Sequence, residues 1–192
     1  MTEPTIATPR VAALTSAKQM RALAHPLRMQ VLGELRVNGP RTVGALSELF
    51  GEAPGTLSYH LGKLAEFGFV EEAPELAADR RERWWRSAHE VTDISPPAAD
   101  AAPAERNASA ALRHQVIDVY AALLHHTIDV AQPREWEQAA TSGDTIAYLT
   151  AAQLAEASAE LQAVAAKWQG RGDRDAEGAA PVQVIVHAFR RP

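Results

Sequence analysis

Four side chains are the first candidates for chemistry in this 192-residue sequence. His114, Asp118, His125 and Asp129 fall within about 60° of one another on a helical wheel, so they share one surface. Imidazole and carboxylate at i, i+4 is a usable spacing for zinc or nickel. The two pairs are about three turns apart, so one helix cannot close a site without a second copy. The ordinary alternative is the solvated polar face that any amphipathic helix needs. There is no cysteine, which excludes disulfides, thiolate metal sites and a cysteine nucleophile. No Gly-x-Ser-x-Gly elbow, phosphate loop, Gly-x-Gly-x-x-Gly or His-Glu-x-x-His motif occurs. The expectation is a protein that is not an enzyme and carries no cofactor.

A second group of residues could bind rather than react. Arg80, Arg81, Arg83 and Arg86 fall within seven positions, with only Glu82 opposing them locally. Upstream, Thr56, Ser58, Tyr59 and Lys63 remain outside a stripe formed by Leu57, Leu61 and Leu64. His60 borders that stripe and has two readings, a packed core histidine or a contact to a base or phosphate. The net charge of −5 does not exclude a nucleic acid. Residues 1–95 hold 11 basic and 12 acidic side chains, whereas residues 96–192 hold 8 and 12. Local clustering matters more than the total.

The elements that must position these residues are helices followed by a hairpin. Periodicity predicts helices over 13–24, 26–37, 43–50 and 55–67. His25-Pro26 separates the first two, and Asn38-Gly39-Pro40 stops the second. Thr42 caps the third, and the tight turn GEAPG leads to the fourth, closed by Gly68. Residues 69–73 and 82–88 read as strands joined by a loop over 74–81. Trp84 and Trp85 point to opposite faces of the second strand. Two short helices joined by a Gly-containing turn and followed by a hairpin form a winged helix-turn-helix pattern.

Residues 22–35 (ALAHPLRMQVLGEL) and 46–72 (LSELFGEAPGTLSYHLGKLAEFGFVEE) resemble the ArsR-like winged-helix repressors. The family pattern Ser-x-His-Leu-x-x-Leu is carried by Ser58, His60, Leu61 and Leu64, with Gly68, Phe69 and Val70 opening the wing. The resemblance implies a homodimeric bacterial transcription regulator, usually a repressor released by an effector. It implies contacts to double-stranded DNA at a palindromic operator from Thr56, Ser58, Tyr59, His60, Lys63, Arg80, Arg81 and Arg83. Some members sense metal with His and Asp on dimerisation helices. The missing cysteines shift the expectation here toward an organic effector or none.

The second half begins after a Pro- and Ala-rich linker, 94–104. Residues 104–131 read as one long helix with Leu112, Val116, Val119, Tyr120, Leu123, Thr127 and Val130 on one face. That stripe resembles the family's dimerisation helix. Residues 144–149 and 182–189 read as strands around a helix over 151–168, capped by Thr150 and Gln153. Trp136, Tyr148 and Trp168 are candidate walls of an effector pocket.

The expected fold is mainly α with small β (α+β). It has a disordered tail at 1–12, a winged helix-turn-helix domain at 13–93, the linker, and a dimerisation and effector module at 105–192. No apolar run is long enough to span a membrane, and the N-terminus lacks the pattern of a signal peptide, so a cytoplasmic location is expected. The alternatives are a metal-responsive repressor using the His114 face, and a winged helix used only for protein–protein contact.

Overall fold

The computed structural model describes residues 10–79 and 82–191. The chain is mainly helical with small sheets, and it divides into two compact units, the first ending at Leu123 and the second beginning at Leu124.

The first unit opens on strand β1 (Val11–Ala13), which pairs in parallel with β5 (Val91–Asp93). Residues 11 and 12 therefore lie in a sheet, not in the tail that the sequence suggests, and residue 13 lies in the same strand, not in the first helix. Helix α1 (Ala17–Leu23) starts four residues later than predicted. Ser16 caps it by accepting from the Gln19 amide at 3.2 Å, and this ends the extended segment. Helix α2 (Pro26–Val37) begins with proline, whose missing N–H costs nothing in a first turn. Strand β2 (Arg41–Thr42) leads into α3 (Val43–Phe50), where the Thr42 hydroxyl accepts from the Ala45 amide at 3.1 Å. Helix α4 (Pro54–Glu66) follows, then β3 (Val70–Glu72), a single 3-10 turn at Pro74–Leu76, and β4 (Trp84–Ser87). The second sheet has the order β2-β4-β3, antiparallel throughout.

These elements enclose one core. Val31, Leu46, Leu57, Leu61 and Leu64 are fully buried. Val70 and Trp85 seal it from the sheet, and Trp84 on the opposite face is only half-buried. The long helix α5 (Pro103–Asp129) adds Ala108, Leu112 and Val116 to the same core. Arg36 ties α2 to β5: its guanidinium donates to the His89 carbonyl at 2.9 Å and to the Thr92 hydroxyl at 2.8 Å.

The apolar stripe of α5 thus divides. Leu112 and Val116 pack within their own unit, whereas Leu123 and Val130 are exposed. A second row, Ile117, Leu124 and Ile128, lies about 115° round the helix from the centre of that stripe. Its members are 53%, 53% and 80% exposed. The whole-helix wheel merges the two rows with the polar face and hides this one.

The second unit contains the end of α5, then α6 (Arg134–Ala139) and α7 (Ala151–Arg171). Helix α7 has the predicted capping box between Thr150 and Gln153 and runs three residues past the predicted end. Residues 144–149 and 182–189 form no strand. Their β-branched content suits a ladder, but a ladder needs a partner, and these segments pair with none. None of the described residues from 124 onward is buried.

Candidate nucleic-acid interface

The tight turn between α3 and α4 is built by Gly51, which ends α3 in the left-handed conformation at φ 66°. A side chain there would be strained, which is why glycine serves. The Ser47 hydroxyl reaches across the turn and donates to the Glu52 carbonyl. Pro54 then starts α4 in its first turn. The turn sets α4 against α3 and α2, with Leu57, His60, Leu61 and Leu64 facing inward.

This leaves a polar outer face on α4. Ser58 and Tyr59 are exposed, Tyr59 at 60%, and Thr56 and Lys63 are half-buried. Thr56, Tyr59 and Lys63 fall within about 60° of one another, and Ser58 lies toward the other border of the face. Lys63 is held by Glu66 at 2.8 Å, and that carboxylate raises its pKa above the ordinary lysine value. Gly62 lies on the same exposed side, where an added Cβ would meet nothing within 4 Å. His60, one of the two open readings of the sequence, is a core residue at 8% exposure. It packs against His25 with ring centroids 4.5 Å apart.

The wing differs from the sequence expectation in its charge balance. Arg83 pairs with Glu72 across the hairpin, and Arg86 pairs with both Glu71, at 2.8 Å, and Glu75. Arg83 also lies over the Trp85 ring at 5.0 Å. Hydrogen bonds and charge from Glu71 and Glu75 raise the Arg86 pKa further. Three glutamates therefore face these two arginines, where the local sequence supplies only Glu82. The antiparallel register places Glu71 opposite Arg86, and an inspection of consecutive residues cannot find that partner. Arg80 and Arg81 lie outside the described residues.

The remaining candidates are not gathered into sites. His114, Asp118, His125 and Asp129 are all exposed on α5. Among the described residues, no three or more His, Asp or Glu side chains are placed to hold one metal ion. Tyr148 is 99% exposed and Trp168 59%, so neither forms the wall of a pocket, and Trp136 is half-buried on α6. A cavity of about 460 Å³ lies elsewhere, in the first unit. Met20, Ile94 and Leu112 line it together with the carboxylate residues Asp93, Asp100 and Glu105. Sequence reasoning missed it because its wall is the linker, which has no periodicity to read.

Residues 23–73 match a family model described as a helix-turn-helix domain. No curated protein matches the chain. With the β2-β4-β3 sheet behind it, this segment is a winged helix-turn-helix, the architecture of DNA-binding transcription regulators. Among the described residues, no helix is long and apolar enough to cross a membrane.

Proposed function

We propose that this protein is a homodimeric, sequence-specific DNA-binding regulator, acting in the cytoplasm as a repressor that a small organic effector releases. The observation that carries the reading is the polar outer face of α4, backed by a fully buried leucine stripe and held by the Gly51 turn. The major groove accepts a helix of this kind. In this reading Ser58 and Tyr59 read bases, while Lys63, Thr56 and the wing arginines contact phosphates and set the register.

Dimerisation is supported by the exposed apolar row Ile117, Leu124 and Ile128 on α5. A row of that kind on a 27-residue helix favours a second helix as its cover. Two copies would present two α4 helices to half-sites about one helical turn apart. The effector reading is supported by the cavity between α1, the 94–104 linker and α5, whose volume lies in the range of ligand pockets.

A genome-wide binding footprint tests the proposal. It should find a small number of sites, each a near-palindrome, with symmetric protection about one helical turn apart. Diffuse occupancy with no common sequence would refute specific recognition. A single half-site in every footprint would refute the dimer.

A further inference from the structure

Two imidazoles meet behind the outer face of α4. His25 is the N-cap residue of α2, and His60 lies on the inner side of α4. Their rings are tilted by 44° at the 4.5 Å contact. The Nδ1 atoms of both are buried without a hydrogen-bond partner, as is Nε of Arg28. Native structures leave few such groups, and each one costs free energy, so three together mark a special position. Tyr59, on the outer face, meets the His60 ring edge-on at 5.3 Å. The exposed face is thereby packed directly onto the pair, of which His60 is buried and His25 half-buried.

The electrostatics favour uncharged rings. Burial lowers both imidazoles below the ordinary histidine value, and Arg28 acts in the same direction. For His60, burial comes first, then His25, then Arg28, with Glu52 opposing more weakly. The groups that face the pair are thus Arg28 of α2, Glu52 of the turn before α4, and Tyr59 of α4 itself. The positive charge of Arg28 also disfavours a metal cation between the rings.

We propose that His25 and His60 are positioning residues for DNA recognition: uncharged, they pack ring on ring and hold α4 and Tyr59 in place, and a proton on either one separates them. The inference rests on the DNA-binding reading above. Its direction follows from linkage. A separated imidazole regains an ordinary pKa near 6.5 and takes up a proton that the packed pair refuses. The seated arrangement is therefore favoured above about pH 6.5 and loses ground as pH falls below it.

The test uses the full chain. Fluorescence anisotropy with a labelled duplex from its own upstream region is followed from pH 7.5 to 5.5 at constant ionic strength. The imidazole and Tyr59 ring resonances are followed by NMR over the same range. One imidazole taken one pH unit below 6.5 corresponds to about a tenfold effect. Wild-type affinity should fall about tenfold more than that of a His25→Gln/His60→Gln double variant. The two imidazoles should titrate below 6.5, and the Tyr59 resonances should move with them. Parallel pH profiles for the two proteins overturn the proposal. So do imidazoles that titrate at the ordinary value while Tyr59 stays unmoved. If the variant does not fold, the wild-type NMR titration decides. If the wild type binds no DNA at pH 7.5, the DNA-binding reading fails, and the same titration still decides whether the pair seats α4.

Discussion

Lys63 and Tyr59 stand one turn apart on α4, and in the proposed function they would offer different things to a duplex. The Lys63 ammonium is a flexible point charge, suited to phosphate. Tyr59 presents an exposed ring and hydroxyl, and its ring meets the His60 ring in an edge contact at 5.3 Å. Lys63→Ala should weaken binding to all duplexes about equally, whereas Tyr59→Ala should change the order of preference among them. Competition binding over a randomised duplex pool distinguishes the two, and equal effects on all sequences from both changes would remove Tyr59 from base reading. The leucine stripe that faces these residues inward was legible, because a 3.6-residue period reports burial directly. The place of His60 was not legible. A wheel gives its angle, but its partner is His25, on another element 35 positions earlier.

At the scale of elements, the small β1–β5 sheet holds the start of the first unit to the segment that follows the wing. Arg36 anchors it from α2, and burial pushes its pKa down to about 10, so the guanidinium stays charged at neutral pH. Arg36→Met should cost about 2 kcal/mol, the loss of two charge-assisted hydrogen bonds to half-buried acceptors, of which the His89 carbonyl keeps the Ser87 hydroxyl. A urea midpoint unchanged by the substitution would contradict that role. Arg10 holds Glu90 across the same sheet, and their hydrogen bond lowers the Glu90 pKa to about 2. A carboxylate depressed in the fold stabilises it above its ordinary pKa near 4.5, and the contribution is lost as pH falls toward 2. Because both side chains are largely exposed, the effect should be small and screened by salt. Arg10→Gln should flatten stability between pH 5 and pH 2 at low salt, as followed by denaturant midpoints. Helices α2, α3 and α4 were legible because proline, threonine and glycine punctuate them. The strands β1 and β5 are three residues each, too short to show alternation. The opposite error occurs at 144–149 and 182–189, where composition suggests a ladder that pairing does not supply.

For the whole molecule, the uncovered row on α5 makes the oligomeric state the sharpest test. Ile128→Lys should leave the monomer fold intact, because this side chain is already 80% exposed. With Leu124→Lys it should convert a dimer to a monomer in light scattering and weaken operator binding at least a hundredfold, since the second half-site is lost. A wild type that is monomeric at all concentrations would sink the idea. The pairing within the wing has a further consequence. Arg83 and Arg86 carry their counterions as part of the protein, in the form of Glu71, Glu72 and Glu75. To reach a phosphate, each must exchange one carboxylate for another anion. The exchange leaves a glutamate beside the duplex that must draw a cation from solution. Net ion release on binding should therefore be smaller than the number of arginines at the interface, and the plot of log affinity against log salt correspondingly shallow. Replacing Glu71, Glu72 and Glu75 with glutamine should steepen that plot by about two units, one for each exchanging arginine, while raising affinity at low salt. The acidic side of the wing, not its basic side, would then set how far this protein responds to the ionic composition around it.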